Sequence, residues 1–253
     1  MMRWDASVCD KNPLFWPIRG HARAFCDYGE WPDVAEYDRL FGGDGPVRFR
    51  ESPPRPRRAR RQEIDPRRLY DGRICEERVV PTRARNWHDF FNALVWAAFP
   101  ATKARLHERQ HHAAAQRMSA DAVTLPSART REQDGLALLD EGGVALLCTA
   151  DAVGEARRAL EMRQVEPVAQ LAAEARALGV IYGHAIYEHL ARGGPNVRAM
   201  TAIVPCFELP ADPAACVERC DTAFAAALAD PRSFSRPDEH QSLPVDAGVL
   251  GFR

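Results

Sequence analysis

The stretch LALLDEGGVALLC, residues 136–148, decides how this chain is built. Two apolar runs, 136–139 and 144–148, flank Asp140-Glu141-Gly142-Gly143. Asp bonds its own nearby backbone and Gly takes positive φ without strain, so the pattern predicts a β-hairpin. Both arms are apolar nearly throughout, which predicts a sheet covered on both faces.

Helical patterns at 151–162 and 165–190 would supply that cover, and 198–204 reads as a third strand. Gly193-Gly194-Pro195 breaks the chain before it, and a helix is expected over 212–228. On the other side lies NWHDFFNALVWAAFP, residues 86–100. Asn86 is a good N-cap, Asp89 falls in the electropositive first turn, and Phe91, Leu94, Val95 and Ala98 recur at helical spacing. Pro100 ends or kinks this helix, and a more polar one follows over 101–118. Residues 74–80 predict a strand after an Asp71-Gly72 turn, and 33–40 a short helix capped by Asp33 and stopped by Gly42 and Gly43. The fold class is therefore α+β: several helices packed on a small, mostly antiparallel sheet in a single domain.

Three parts are expected along the chain. Residues 1–47, with Trp4, Trp16 and Trp31, form an irregular aromatic and Pro-rich arm that packs on a core made later. Residues 48–68 are an Arg/Pro-rich linker or extended segment, and 69–253 the main domain. The formal net charge of −1 excludes a global field that would steer nucleic acid or an anionic membrane onto the surface. Lys11 and Lys103 are the only lysines among 34 basic residues. The 7 cysteines are scattered without a CxxC pair, which points to a reducing compartment. Cys216 and Cys220 share a helix face and read as buried small hydrophobes. No apolar run approaches the ~20 residues that span a bilayer, and no secretory signal pattern opens the sequence, so the expected place is the cytoplasm, with no membrane partner.

Chemistry has one candidate centre. His88 and Asn92 stand four apart on one helix, as do His184 and Glu188 in LGVIYGHAIYEHL (178–190). If those helices meet across the end of the hairpin, two imidazoles and several carboxylates converge. Such N/O donors suit zinc or another divalent metal, with His88, His184, Asp140 and Glu188 as ligands. Asp89, Asn92 and Glu141 are the accompanying catalytic candidates, Asp89 orienting His88 or acting as a base. The alternative for the His88/His184 pair is a structural hydrogen-bond network. His107, His111 and His112 with Glu108 form a second cluster, whose polar surroundings predict a solvated helix face. Phosphate loops of the Walker or dinucleotide type and a GxSxG elbow are missing.

Three segments, NWHDFFNALVWAAFPATKARL (86–106), DGLALLDEGG (134–143) and YGHAIYE (182–188), together resemble a bacterial family, domain-of-unknown-function family 3025. The tail LPVDAGVLGF (243–252) matches more loosely. The resemblance implies a one-domain cytoplasmic bacterial protein and no particular activity. It places His88, Asp89, Asn92, Asp140, Glu141 and His184 inside family-like segments. The chain departs from the family pattern at Ala137 and in RLHERQHH (105–112), which leaves the 107–112 cluster outside the shared pattern.

Two readings of function stay open. One is an enzyme, a metal-assisted hydrolase or acid–base catalyst at the His/carboxylate centre. The other is a non-catalytic binding module that contacts protein or nucleic acid through Arg55, Arg57, Arg58, Arg60 and Arg61.

Overall fold

The computed structural model describes residues 3–52, 66–117, 129–194 and 197–253. Arg55, Arg57, Arg58, Arg60, Arg61 and Pro195 lie outside the described residues, as does Met118.

The arm carries helix α1 (Trp16–Ala22) and a 3₁₀ helix (Val34–Phe41), and strand β1 (Arg48–Glu51) opens the segment after it. Next come α2 (Tyr70–Glu77), β2 (Val79–Thr82), α3 (Trp87–Ala98) and α4 (Pro100–Ala115). After these follow α5 (Arg131–Gly142), β3 (Gly143–Thr149), α6 (Val153–Glu161), α7 (Glu166–Ala173) and β4 (Ala177–Ile181). The chain closes with α8 (His184–Ala191), β5 (Arg198–Cys206), α9 (Pro213–Ala229), β6 (Ser242–Pro244) and α10 (Ala247–Leu250). The main sheet has the order β4-β3-β5-β6, with antiparallel pairs on both sides of a parallel β3–β5 centre. A separate parallel pair joins β1 to β2. The class is α+β, with most of the chain in helices around two small sheets.

The hairpin expected at 136–148 does not form. Residues 131–142 are helix, and β3 starts at Gly143 with no turn between. The helix start is written in TREQ (130–133): Thr130 accepts from the Gln133 backbone N–H, while the Gln133 side chain accepts from that of Thr130. Gly143 then lets the strand leave the helix directly, since a Cβ there would stand 2.6 Å from the Leu139 carbonyl oxygen. The antiparallel partner of β3 is instead β4, inside the stretch 165–190 that reads as one helix. ALGVI is a short run apolar on every side, which helix and strand templates fit equally. Residues 74–80 are corrected as well: Asp71 and Gly72 lie inside α2, and only Val79 and Val80 enter a strand.

Other expectations hold. Asn86 caps α3 through its side chain, and the helix expected over 212–228 is α9, which starts at Pro213. The 3₁₀ helix ends at Gly42 in the left-handed conformation, though the Asp33 side chain makes no capping bond. Cys216 and Cys220 are fully buried, and all seven cysteines are free thiols.

Helix α3 runs through the core. Phe90, Phe91, Leu94, Val95 and Trp96 are all buried, so the helix is covered nearly all round. The arm contributes aromatic cover: Trp4 stacks on Trp87 at 5.3 Å between centroids, Trp31 reaches the same ring at 4.7 Å, and Phe15 meets Phe91. Helix α3 packs on α8, α5 on α8, α2 on α4, and α4 along α9. Asp221 of α9 accepts the backbone N–H groups of Ala101 and Thr102, and so caps α4 from a distant helix. Among the described residues no helix is long and apolar enough to cross a membrane.

Candidate functional site

One glycine brings the candidate residues together. A Cβ on Gly183 would lie 2.6 Å from the carbonyl oxygen of Glu141 and from Gly142 Cα, so only glycine lets the start of α8 rest on the end of α5. That contact delivers His184 to Asp140. His184 Nδ1 meets the Asp140 backbone carbonyl oxygen at 2.8 Å, and the Asp140 carboxylate lies farther off at 3.8 Å. Across the α3–α8 contact, His184 Nε2 meets His88 Nε2 at 3.0 Å, and His88 Nδ1 meets Glu188 Oε2 at 3.1 Å. Arg192, one turn on from Glu188, holds its other oxygen at 2.5 Å.

The donors and acceptors assign the protons along this line. A carbonyl oxygen can only accept, so His184 Nδ1 carries a hydrogen. Burial pushes the His184 imidazole down to about 3, which keeps it neutral and leaves Nε2 as an acceptor. His88 Nε2 must then donate. His88 Nδ1 faces a carboxylate oxygen of Glu188, and this contact is a hydrogen bond when a proton lies between the two atoms. The His88 side chain is 27% exposed and that of His184 only 5%, so the His88–Glu188 contact is the outer end of the line.

Behind His184 lies a buried ion pair. Lys103 is fully buried, and its Nζ meets Asp140 Oδ1 at 2.5 Å. Burial alone would raise the Asp140 carboxyl, but the Lys103 ammonium overrides it and holds the group well below the usual carboxylate range. Burial in turn draws the lysine down, against the pull of Asp140. The ammonium also stands over the rings of Trp96 and Tyr182, at 5.8 and 5.9 Å from their centroids. Asp140 thus serves twice: its carboxylate neutralises Lys103 while its carbonyl sets the tautomer of His184.

The remaining candidates are placed elsewhere. Asp89 does not orient His88: Arg83 engages its carboxylate through Nη2 at 2.7 Å, Nε at 3.0 Å and the backbone N at 2.6 Å. Asn92 donates to the Tyr70 hydroxyl at 3.0 Å rather than pairing with His88. Glu141 is exposed.

The 107–112 cluster departs from the solvated face expected of it. His107 is fully buried and His111 nearly so, because α2 covers them. His107 Nδ1 meets Asp71 Oδ1 at 2.8 Å, with its ring stacked on Trp96, and His111 faces Glu76 at 3.4 Å. Lys103, Tyr70 and Arg192 were not among the candidates. Lys103 carried a signal all the same: in a chain whose cations are nearly all Arg, a lysine on an otherwise buried helix face stands out.

The residues do not fit a metal centre. The two Nε2 atoms converge on each other, but the carboxylates lie on the opposite, Nδ1 edges of both rings, where no shared ion could reach all of them. Among the described residues no group of three or more His, Cys, Asp or Glu is arranged to hold a metal ion.

The class these features define is an α+β chain with a carboxylate–imidazole–imidazole line between two core helices. The chain belongs to the family described as Protein of unknown function (DUF3025), whose model matches residues 59–253. No curated protein and no solved structure matches it.

Proposed function

We propose that this chain is an acid–base enzyme in which His88 and Glu188 exchange a proton with substrate, while His184 and Asp140 hold the His88 ring in place. The single observation that carries this reading is the hydrogen-bond polarity from the Asp140 carbonyl through His184 to His88, which turns His88 Nδ1 to the Glu188 carboxylate at the exposed end. A fold that needed only burial would be served as well by apolar side chains, since a buried polar network is at best neutral for stability. General acid–base catalysis needs a titratable group at the surface with its orientation set from behind. Arg192 fixes one Glu188 oxygen and leaves the other aimed at His88. In the work cycle, substrate approaches the exposed edge, the His88–Glu188 pair takes or returns a proton, and neutral His184 keeps Nε2 available so that the ring does not rotate away. The chemistry suited to this is hydrolysis or proton transfer next to a carbonyl or phosphoryl centre, with water or a substrate hydroxyl as the proton source.

Turnover of a panel of p-nitrophenyl carboxylate and phosphate esters, by the unsubstituted chain and by His88→Gln, tests the reading. Hydrolysis of at least one class is expected, falling by roughly 10²–10⁴-fold in His88→Gln. Long-range ¹⁵N spectra of the histidines are the second readout, with His184 expected in the Nδ1–H form. No member turned over above buffer, together with spectra showing His184 in the Nε2–H form, would sink the proposal.

A further inference from the structure

Away from the imidazole line, α2, α4 and α9 leave an open groove of about 770 Å³ between them. Its walls are mostly apolar: Ile74 on the side of α2, Ala104 on α4 and Ala225 on α9. The groove exists because α4 and α9 present alanines where they face each other, so the helices pack closely while their upper flanks stay unfilled. The size falls in the range of about 300–1,000 Å³ typical of small-molecule sites.

Three features say what would fill it. First, the lining holds two guanidiniums, Arg78 and Arg105, against one carboxylate, Glu108, an excess of one positive charge. Arg105 is already paired with Glu108 at 2.7 Å, whereas Arg78 meets no carboxylate among the described residues. Second, the fully buried Trp96 is part of the lining and adds an aromatic ring to its apolar wall. Third, burial pushes the Cys75 thiol in the wall up to about 11, so it adds no competing negative charge.

We propose that this groove binds a small amphiphilic acid, with an apolar chain or ring along the alanine walls and a single anionic head held at Arg78. The site is separate from the acid–base centre: none of His88, His184, Glu188 or Asp140 lines it. It touches that centre only through Trp96, which carries the Lys103 ammonium over its ring and stacks on His107.

Isothermal titration of the full chain with three probes separates head from tail: decanoate, decyltrimethylammonium and acetate. Decanoate is expected to bind, with the decyl cation and acetate each at least about tenfold weaker, because a charge-assisted contact and the apolar burial are both needed. Arg78 sits at a left-handed position, φ 54°, which Asn tolerates, so Arg78→Asn removes the charge without straining the backbone. It should weaken decanoate by about tenfold. Ala104→Phe fills the groove and should abolish binding, while His88→Gln should leave it unchanged. Absence of heat with decanoate, or equal binding of the decyl cation, overturns the proposal on the unsubstituted chain alone. Undiminished decanoate binding by folded Ala104→Phe overturns it as well.

Discussion

Among the described residues, His88 and His107 both hold Nδ1 within hydrogen-bond distance of a carboxylate on a neighbouring helix. His88 on α3 faces Glu188 of α8 at 3.1 Å, and His107 on α4 faces Asp71 of α2 at 2.8 Å. Their other nitrogens lead to different places. His88 Nε2 continues into a second imidazole, and its ring keeps an exposed edge. His107 Nε2 meets no partner, and its ring is fully buried against Trp96. The same kind of pair thus ends an imidazole line with an exposed edge in one region and is an interior clamp in the other. The first contact does not distinguish them; the second nitrogen and the access of solvent do.

Asp140 lies between the two regions, so its loss should break both. Asp140→Ala leaves the Lys103 ammonium buried without a counter-charge, and denaturant unfolding should show a loss of about 3–5 kcal/mol. A loss under about 1 kcal/mol would mean that Lys103 reaches solvent or another anion, and the comparison would lose its common anchor.

Acid should act next, and mainly on the first region. The His184 imidazole is pushed from 6.5 to about 3 in the native protein, so between those values the unfolded chain binds a proton that the native one refuses. Stability therefore holds above about pH 6.5 and falls as the pH drops toward 3, by up to about 4 kcal/mol. Asp140, held low in the native state, adds to the loss below its ordinary value of 3.8, with the same sign. In His184→Gln the part of the slope between pH 6.5 and 4 should flatten, and an unchanged slope there would show that His184 is not buried neutral.

His107→Leu sharpens the contrast from the other side. It removes an orphaned nitrogen but strands the Asp71 carboxylate, so stability should fall by about 1–3 kcal/mol with ester turnover within about threefold of the unsubstituted chain. A loss of turnover as large as in His88→Gln would erase the distinction between the regions. The smallest effect belongs to Arg192→Ala. The Arg192 side chain is 62% exposed, so the ion pair should contribute less than about 1 kcal/mol to stability. Turnover should nevertheless drop several-fold, because Glu188 is then free to turn away from His88.

Much of the outer form of the fold was legible in local chemistry. The Asn86 cap, the helical spacing of α3, the strand expected at 198–204 and the helix expected over 212–228 are all decided by residues close in sequence. The errors fell where a local signal was ambiguous or was outweighed. Asp140-Glu141-Gly142-Gly143 has turn composition, but the capping box at Thr130 and Gln133 had already committed the segment to helix. ALGVI fits either period, and only pairing with β3 makes it a strand. At the candidate site, His88, His184, Glu188 and Asp140 were each visible and do converge, whereas Asp89 and Asn92 were claimed by Arg83 and Tyr70, partners that helical spacing cannot reveal.

By itself the sequence determined where helices such as α3 and α9 begin and which residue types were available for proton chemistry, because caps and periodicity act over one or two turns. Only the tertiary structure decided that His184 bonds the Asp140 carbonyl rather than its carboxylate, and that Glu188 meets the far edge of His88. The physical reason is that these contacts span 44 to 100 residues and depend on how closely helices approach. That approach is set by what a glycine such as Gly183 leaves out, and no local pattern encodes it.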